Sequence, residues 1–254
     1  MTRWHLWVDA TPRPGWQNMA IDQALLDLAV GQGSAFLRLY RWQPFCLSFG
    51  RHEPALLRYG RDRITAMGLD TVRRPTGGRA VWHARELTYA VAAPGVFGTL
   101  PEAYHRIHLA LGDALRGLGA TASLAPPPAR TPRPEDGACF ASPVGGEVMV
   151  AGRKVIGSSQ LRQGDALLQH GAMLLEDDQR LVHDLAGTDT TGRAEAPLSE
   201  LLGRVVGFEE AAGAVIEATR AWSPAWHEVD PAEPLRLAAG HEERFRSEGW
   251  TWQR

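Results

Sequence analysis

The sequence contains few cysteines and no long apolar run, and these two absences exclude several classes of protein. Its two cysteines, Cys46 and Cys139, are too few for a disulfide framework, so we expect both thiols to be reduced. No stretch approaches the roughly 20 consecutive apolar residues of a membrane span, because Arg, Asp or Glu interrupts each one. Residues 1–10 lack the basic start and apolar core of a signal peptide, so we expect a soluble, cytoplasmic protein.

An excess of charge of one sign is also missing. The 27 basic and 29 acidic residues leave a formal net charge of -2, which gives no whole-chain electrostatic reason to expect a nucleic-acid or membrane partner. The length of 254 residues and the hydrophobic content of 44% are those of a globular protein with one core. We therefore predict a single domain over residues 1–254, in which residues 178–254 form a mainly helical C-terminal portion.

The spacing of apolar residues predicts an α+β fold. The predicted helices cover residues 16–30, 54–67 and 101–118, with shorter ones at about 209–222 and 231–247. The predicted strands lie in residues 1–10, 35–50 (two strands around a turn), 69–74, 81–93 and 148–175 (a hairpin series). No further strong strand is expected after residue 178. This order of elements predicts a mixed, largely antiparallel sheet covered by helices.

A pair of glycines with basic flanks forms the first candidate site. Residues 73–83 have the pattern of strand, loop and strand, and the candidate ligand-binding residues are Arg73, Arg74, Thr76, Gly77, Gly78, Arg79 and His83. Glycine lets a ligand lie against the backbone, and arginine suits a carboxylate or phosphate. A tight turn with solvated arginines is the alternative. The Gly-Lys-Ser/Thr ending of a phosphate loop is absent.

A second candidate is Lys154, which opens an apolar strand and is followed by Gly157 and Ser158. An apolar setting lowers the pKa of a lysine and makes its amine available for proton transfer, or for binding an acyl carbonyl or phosphate. Lys154 is one of very few lysines, because arginine supplies most of the basic residues. The spacing leaves open an exposed lysine in a turn.

Cys139 is the third candidate. It follows a loop with five prolines in residues 125–134 and precedes the hairpin series, so it lies where a loop enters a strand. A nearby cationic lysine favours the thiolate, which is the reactive form of the side chain. A buried apolar cysteine is the alternative, and it is the role that we expect for Cys46.

Three histidines offer a competing metal site. His83, His170 and His183 are not spaced as His-x-x-x-His and do not adjoin a Cys-x-x-Cys pair, so we predict no metal site. His83 and His170 are given positional or hydrogen-bonding roles.

Taken in order, several segments resemble the lipoate-protein ligase and octanoyltransferase family, which shares its fold with the biotin protein ligases. The segments are residues 18–22, Gly50-Arg51, 73–83, 154–160 and Gln169-His170-Gly171. The resemblance covers about residues 16–176. It implies a biotin/lipoate protein ligase-like catalytic domain.

Details of these segments separate two chemistries within the family. Thr-Gly-Gly-Arg-Ala-Val followed by Glu-Leu-Thr-Tyr is similar to the cysteine-dependent octanoyltransferases of the LipM type, whereas lipoate ligases have a third glycine and then His-Asp. The LipM-type enzymes also carry a cysteine before the Gly-Arg-Lys segment, an arrangement matched by Cys139 and Lys154. One departure is Ala84, which stands where both branches usually have aspartate and which puts any role of that carboxylate in doubt.

The resemblance implies transfer of an octanoyl group from acyl carrier protein to a lysine of a lipoyl domain, such as glycine cleavage H protein or a 2-oxoacid dehydrogenase E2. Cys139 would be the nucleophile, and exchange of one thioester for another needs neither ATP nor a cofactor. Lys154 would favour the thiolate, stabilise developing charge and then take a proton from the incoming amine. Gly77, Gly78 and Arg79 would line the path of the acyl group and its pantetheine arm.

Three other functions stay open at this stage. In an ATP-dependent lipoate-protein ligase, Lys154 would hold the phosphate of an acyl-adenylate and Cys139 would be incidental. An amidotransferase would move octanoyl between two lipoyl-bearing proteins through the same cysteine. A catalytically silent acyl-binding or partner subunit is consistent with Ala84, although the presence of both Cys139 and Lys154 argues against it.

Overall fold

The computed structural model describes residues 2–126, 146–188 and 194–253. Its helices are α1 (Gly15–Gln32), α2 (Ala55–Arg58), α3 (Arg61–Ala66), α4 (Leu100–Gly117), α5 (Arg180–Ala186), α6 (Leu198–Leu202), α7 (Phe208–Thr219), α8 (Ala232–Ala238), α9 (Glu242–Arg246) and α10 (Glu248–Thr251). Its strands are β1 (Trp4–Val8), β2 (Ala35–Tyr40), β3 (Cys46–Phe49), β4 (Asp70–Arg73), β5 (Val81–His83), β6 (Glu86–Ala93), β7 (Ala122–Leu124), β8 (Val148–Val150), β9 (Arg153–Lys154), β10 (Ile156–Gln163), β11 (Ala166–Leu174) and β12 (Trp226–Glu228).

A six-stranded mixed sheet, in the order β10-β11-β6-β2-β1-β12, forms the centre of the fold. The pairs from β10 to β2 are antiparallel, while β1 pairs in parallel with both β2 and β12. Side chains alternate between the two faces of each strand, so Leu37 and Leu39 join one hydrophobic core and Phe36 and Tyr40 join another. The predicted mixed, largely antiparallel sheet is confirmed.

Helices cover both faces of this sheet. On one face α4 packs against α7, and a capping box between Thr99 and Glu102 fixes where α4 begins. On the other face α1 lies between the sheet and the helices α8 and α9. Because it has neighbours on both sides, α1 is buried around most of its circumference, including the polar residues Asn18 and Asp22.

The two strands predicted in residues 35–50 are present as β2 and β3, and β3 joins a second sheet of order β4-β3-β5. Two other predicted elements differ from the structure. Residues 81–93 are divided into β5 and β6, which belong to different sheets on either side of Ala84 and Arg85. The predicted helix over residues 54–67 is two short helices, since Tyr59 adopts an extended conformation between them (φ -124, ψ 130).

The hairpin series and the C-terminal region complete the fold. The turns predicted at Ala151-Gly152 and Gly164 are present, and all three residues have positive φ. Short helices dominate after residue 178, as expected, but β12 adds a strand of three residues, too short to leave a recognisable alternation in the sequence. No helix among the described residues is long and apolar enough to cross a membrane.

Candidate active site

A cleft that is open to solvent lies beside α1, between the six-stranded sheet and the β4-β3-β5 sheet, and its space together with the adjoining solvent amounts to about 320 Å³. Five of the residues singled out from the sequence line it, namely Arg74, His83, Gly157, Ser158 and His170. Its other walls are mostly apolar or aromatic and consist of Met19, Tyr40, Trp42, Val81, Thr88, Ser159, Gly171 and Ala172. The cleft therefore brings together segments that are widely separated in the sequence.

The imidazole of His170 lies at the centre of one buried polar network. Its Nδ1 is 2.9 Å from Oδ2 of Asp22, and its Nε2 is 2.6 Å from Oγ1 of Thr76, which is itself 2.7 Å from Oγ of Ser159. Asp22 also accepts a hydrogen bond from the fully buried Arg38. Burial lowers the pKa of His170, and the hydrogen bond to Asp22 only partly offsets this effect.

His83 is the centre of a second network. Arg74 donates to Oγ of Ser48 at 2.6 Å, so the hydroxyl hydrogen of Ser48 is directed to Nε2 of His83, which lies 2.6 Å away. Nδ1 of His83 then donates to Glu86 at 2.7 Å. The imidazole also stacks on Trp42, with 4.0 Å between the ring centroids. This stacking and the two hydrogen bonds hold the ring in one orientation.

The two networks determine how the polar side chains of the cleft can interact with a ligand. Arg74, His83 and His170 each hydrogen-bond to other groups of the protein. Polar groups satisfied in this way can be covered by an apolar ligand without the cost of an unmade hydrogen bond. The arrangement is therefore suited to an aliphatic chain.

The glycine loop lies against a second glycine. The carbonyl of Gly78 would be 1.8 Å from a Cβ placed on Gly50, so only glycine fits at position 50. Arg74 donates to the carbonyls of Gly77 (3.2 Å) and Arg79 (2.7 Å), and Gly78 has a positive φ of 84. The loop is thus held from within by the same arginine that lines the cleft.

Arg73 has a different environment from its neighbour Arg74. Its guanidinium donates to a set of backbone carbonyls, those of Gly50, Arg51, Glu53, Trp250, Thr251 and Gln253. Because alternate residues of a strand face opposite sides, two consecutive arginines are directed into different surroundings. The structure brings Arg74 to the cleft, whereas Arg73 connects β4 to the C-terminal segment.

Lys154 is the only lysine in the sequence, and its side chain is fully buried. Its ammonium forms an ion pair with the carboxylate of Glu147, which is 3% exposed. Met149 of β8 lies directly opposite Lys154 of β9, so Glu147, two residues before Met149, lies on the same face of the hairpin. The alternative of an exposed turn lysine is excluded.

His108 was not identified from the sequence. It is fully buried on α4, with Nδ1 2.7 Å from the carbonyl of Gly146 and Nε2 2.8 Å from Oγ of Ser158. Burial is the main cause that lowers its pKa to about 4. Its position one turn after Tyr104, on the apolar face of the predicted helix, was the available signal.

The structure describes one of the two cysteines. Cys139 lies outside the described residues, so its role stays a prediction. Cys46 is fully buried in β3, and burial together with the nearby Asp70 raises the pKa of its thiol. It is an inert core residue, as expected.

Sequence comparison identifies a family and named relatives. Residues 14–220 match the family described as Lipoyl protein ligase A/B catalytic domain. A protein of Exiguobacterium sp. (strain ATCC BAA-1283 / AT1b) named Octanoyltransferase LipM is 33% identical over 277 residues, covering 100% of this chain and 99% of the relative. A second Octanoyltransferase LipM, from Kyrpidia tusciae, is 37% identical over 237 residues, covering 79% and 84%.

Solved structures share the fold. A lipoate-protein ligase A bound with ATP superposes with a TM-score of 0.80 at 20% identity, covering 99% of both chains. A bi-partite lipoate protein ligase from Thermoplasma acidophilum has a TM-score of 0.77 at 20% identity, covering 99% of this chain and 97% of the other. These likenesses confirm the expected lipoate-ligase-like fold.

Proposed function

The chain belongs to the lipoyl protein ligase A/B family, and from this membership we propose that it is an octanoyltransferase. It would take an octanoyl group from acyl carrier protein and transfer it to a lysine of a lipoyl domain. The full-length similarity to relatives named Octanoyltransferase LipM supports this choice within the family.

The observation that carries the proposal is the cleft. Its apolar wall and its mutually paired polar side chains fit the hydrocarbon part of an octanoyl group, because neither side loses hydrogen bonds when the chain enters. Arg74, His83, Gly157, Ser158 and His170 would surround the acyl chain, with Thr76 holding His170 from behind. Gly77, Gly78 and Arg79 would flank the entering thioester.

In the proposed reaction Cys139 attacks the carbonyl carbon of the octanoyl thioester and the carrier's thiolate leaves. One thioester replaces another, so neither ATP nor a cofactor is needed. The positive charge of Lys154 would stabilise the thiolate and the developing oxyanion. The amine of the acceptor lysine then attacks the acyl-cysteine and forms an amide.

The partners in this proposal are acyl carrier protein and a lipoyl domain of glycine cleavage H protein or a 2-oxoacid dehydrogenase E2. Neither nucleic acid nor a membrane takes part. We also propose that the protein is located in the cytoplasm.

Intact-mass measurement tests the proposed function. The purified protein is incubated with octanoyl-acyl carrier protein without ATP, alongside the Cys139→Ala variant. We expect an octanoyl-sized, hydroxylamine-labile adduct on the wild type only. Absence of an adduct, with modification of a lipoyl domain once ATP and free octanoic acid are supplied, would indicate a ligase instead.

A further inference from the structure

The carboxylate of Glu86 lies behind the wall of the cleft. It is 4% exposed and is not among the residues that line the cleft. Its Oε1 accepts a hydrogen bond from Nδ1 of His83 at 2.7 Å and another from the hydroxyl of Thr88. That hydroxyl in turn accepts a hydrogen bond of 2.7 Å from the indole of Trp42. One carboxylate oxygen therefore holds, directly or through Thr88, two of the rings that line the cleft.

The rings of His83 and Trp42 also contact each other. They stack with 4.0 Å between their centroids and 15° between their planes. The stack and the hydrogen bonds form a closed cycle of contacts, which runs from Glu86 through His83, Trp42 and Thr88 back to Glu86. Rotation of either ring would break at least one of these contacts and leave a buried donor unpaired, which is costly. The cycle therefore fixes both rings in one orientation.

This cycle crosses from one sheet to the other. His83 ends β5 in the β4-β3-β5 sheet, whereas Glu86 and Thr88 belong to β6 of the six-stranded sheet. The chain itself keeps the two strands close, because only Ala84 and Arg85 connect them, and the hydrogen bond to Glu86 adds the orientation of the His83 ring. Since the cleft lies between these two sheets, the orientation of the ring affects the width that a ligand finds.

We propose that Glu86 is a positioning residue that makes the cleft selective for unbranched acyl chains, because it holds the rings of His83 and Trp42 as one rigid wall. This inference rests on the proposed function and specifies the class of acyl group that the cleft takes. A closely packed wall that cannot turn keeps a fixed distance from the wall opposite. A straight chain fits against such a wall, whereas a methyl branch requires a ring to move and breaks a contact of the cycle.

The experiment measures binding alone, so that it does not depend on acyl transfer. Isothermal titration calorimetry is performed on the full chain with pantetheine analogues in which an amide replaces the thioester. The acyl group is octanoyl, or octanoyl with a single methyl branch near its carbonyl end, in its middle or near its far end. The measured quantity is the straight-chain preference, defined as the Kd of a branched analogue divided by the Kd of the unbranched one.

Four variants separate the role of the cycle from a general structural role. Glu86→Leu removes the acceptor, and Thr88→Val removes the hydroxyl between Glu86 and Trp42 with little change of shape. Glu86→Gln keeps an oxygen for both donors, and its amide nitrogen takes the place of Oε2, which has no hydrogen-bond partner in the described part of the chain. Thr219→Val is the matched control, since Thr219 is also buried but lies in α7 and does not line the cleft. Circular dichroism verifies each fold.

For wild type we expect a straight-chain preference of about 10-fold or more against at least one branched analogue, the scale of one methylene in an apolar pocket. Glu86→Leu and Thr88→Val should lower this preference to about threefold or less, because a wall that can turn admits the branch. Glu86→Gln and Thr219→Val should keep it. If Glu86→Leu does not fold, Thr88→Val decides.

Three results would overturn the inference. They are equal affinity of wild type for all the analogues, an unchanged preference in Thr88→Val or in a folded Glu86→Leu, and a loss of preference in Thr219→Val as large as that in Thr88→Val. Failure of wild type to bind any of the analogues would instead overturn the proposed function, since the cleft would then not take an acyl chain.

Discussion

At the scale of single residues, several buried charged side chains of this protein are matched in pairs. Examples are the pairs of Arg38 with Asp22, Glu86 with His83, and Lys154 with Glu147. Removing one member leaves the other buried without its partner, which costs more than the interaction itself contributes. Single and double substitutions are therefore expected to behave differently.

The pair Lys154 and Glu147 gives the sharpest stability test. We expect Lys154→Met to remove the cation beside the buried carboxylate of Glu147 and to lower the free energy of unfolding by about 3 kcal/mol. The double variant Lys154→Met with Glu147→Leu should recover most of this loss, because both charges of the pair are then replaced by apolar side chains. Urea unfolding of the full chain measures both. Glu217→Gln, which breaks the exposed pair with Arg220, is the control and should not shift the midpoint.

The buried imidazole of His108 is expected to make the free energy of unfolding depend on pH. Its pKa is about 4 in the folded protein and about 6.5 in the unfolded chain, so the unfolded state gains a proton first as the pH falls. The stability that the neutral side chain contributes is complete above pH 6.5 and is lost as the pH falls towards 4, by at most about 3 kcal/mol.

Urea unfolding between pH 7 and pH 4.5 checks this direction. His108→Gln keeps one donor and one acceptor but cannot titrate, so its stability should fall less steeply with pH than that of wild type. Comparing the two slopes removes the contributions of carboxylates and of His170, whose pKa is also lowered. Parallel slopes would contradict the prediction.

At the scale of elements, the close approach of β10 and β11 shapes the floor of the cleft. A Cβ on Gly171 would lie 2.4 Å from the carbonyl of Gly157 and 2.6 Å from Oγ of Ser158. Because the nearest atom belongs to the backbone, the strands have to separate if a side chain is added.

We therefore expect Gly171→Ala to destabilise the fold by about 1–3 kcal/mol and to reduce acyl-enzyme formation, since the cleft residues of β10 are displaced. Gly213→Ala is a matched control. Gly213 lies within α7, and a Cβ added there would have open space around it, so alanine should stabilise the helix slightly. Thermal unfolding and intact mass measure the two effects. Equal behaviour of the two variants would refute the steric argument.

The helices and strands also differ in whether the sequence predicts them. α1, α4 and the hairpins from β8 to β11 follow from apolar spacing, from the Thr99 cap and from the glycine turns, all of which are local. The break between β5 and β6 is different. No glycine or proline separates these two strands, and only their pairing with different sheets divides them.

At the scale of the whole molecule, the C-terminal portion packs against the rest through several elements in addition to the contact between α7 and α4. β12 pairs with β1, α8 and α9 pack on α1, and Arg73 binds carbonyls of residues 250–253. We expect one cooperative unfolding transition, in which far-UV circular dichroism and tryptophan fluorescence coincide, as a single domain over residues 1–254 requires. Separate transitions would contradict this prediction.

Arg73 is expected to matter more for stability than an exposed arginine. Arg73→Lys loses the planar set of donors that reaches several carbonyls and should lower the free energy of unfolding by about 3 kcal/mol. Arg63→Lys is the matched control, because Arg63 is exposed and donates only to the carbonyl of Asp184 among the bonds described. Its effect should stay within about 0.5 kcal/mol. Urea denaturation compares the two.

Local spacing and short motifs in the sequence are sufficient to predict the class of fold, the order of the segments and five of the residues that line the cleft. Tertiary structure decided which side chains meet. His170 and Asp22 are 148 residues apart and hydrogen-bond in the fold, and the adjacent Arg73 and Arg74 have different partners. Such contacts leave no periodic trace in the chain, since they arise only when strands from distant segments pair and each side chain is assigned to one face of a sheet.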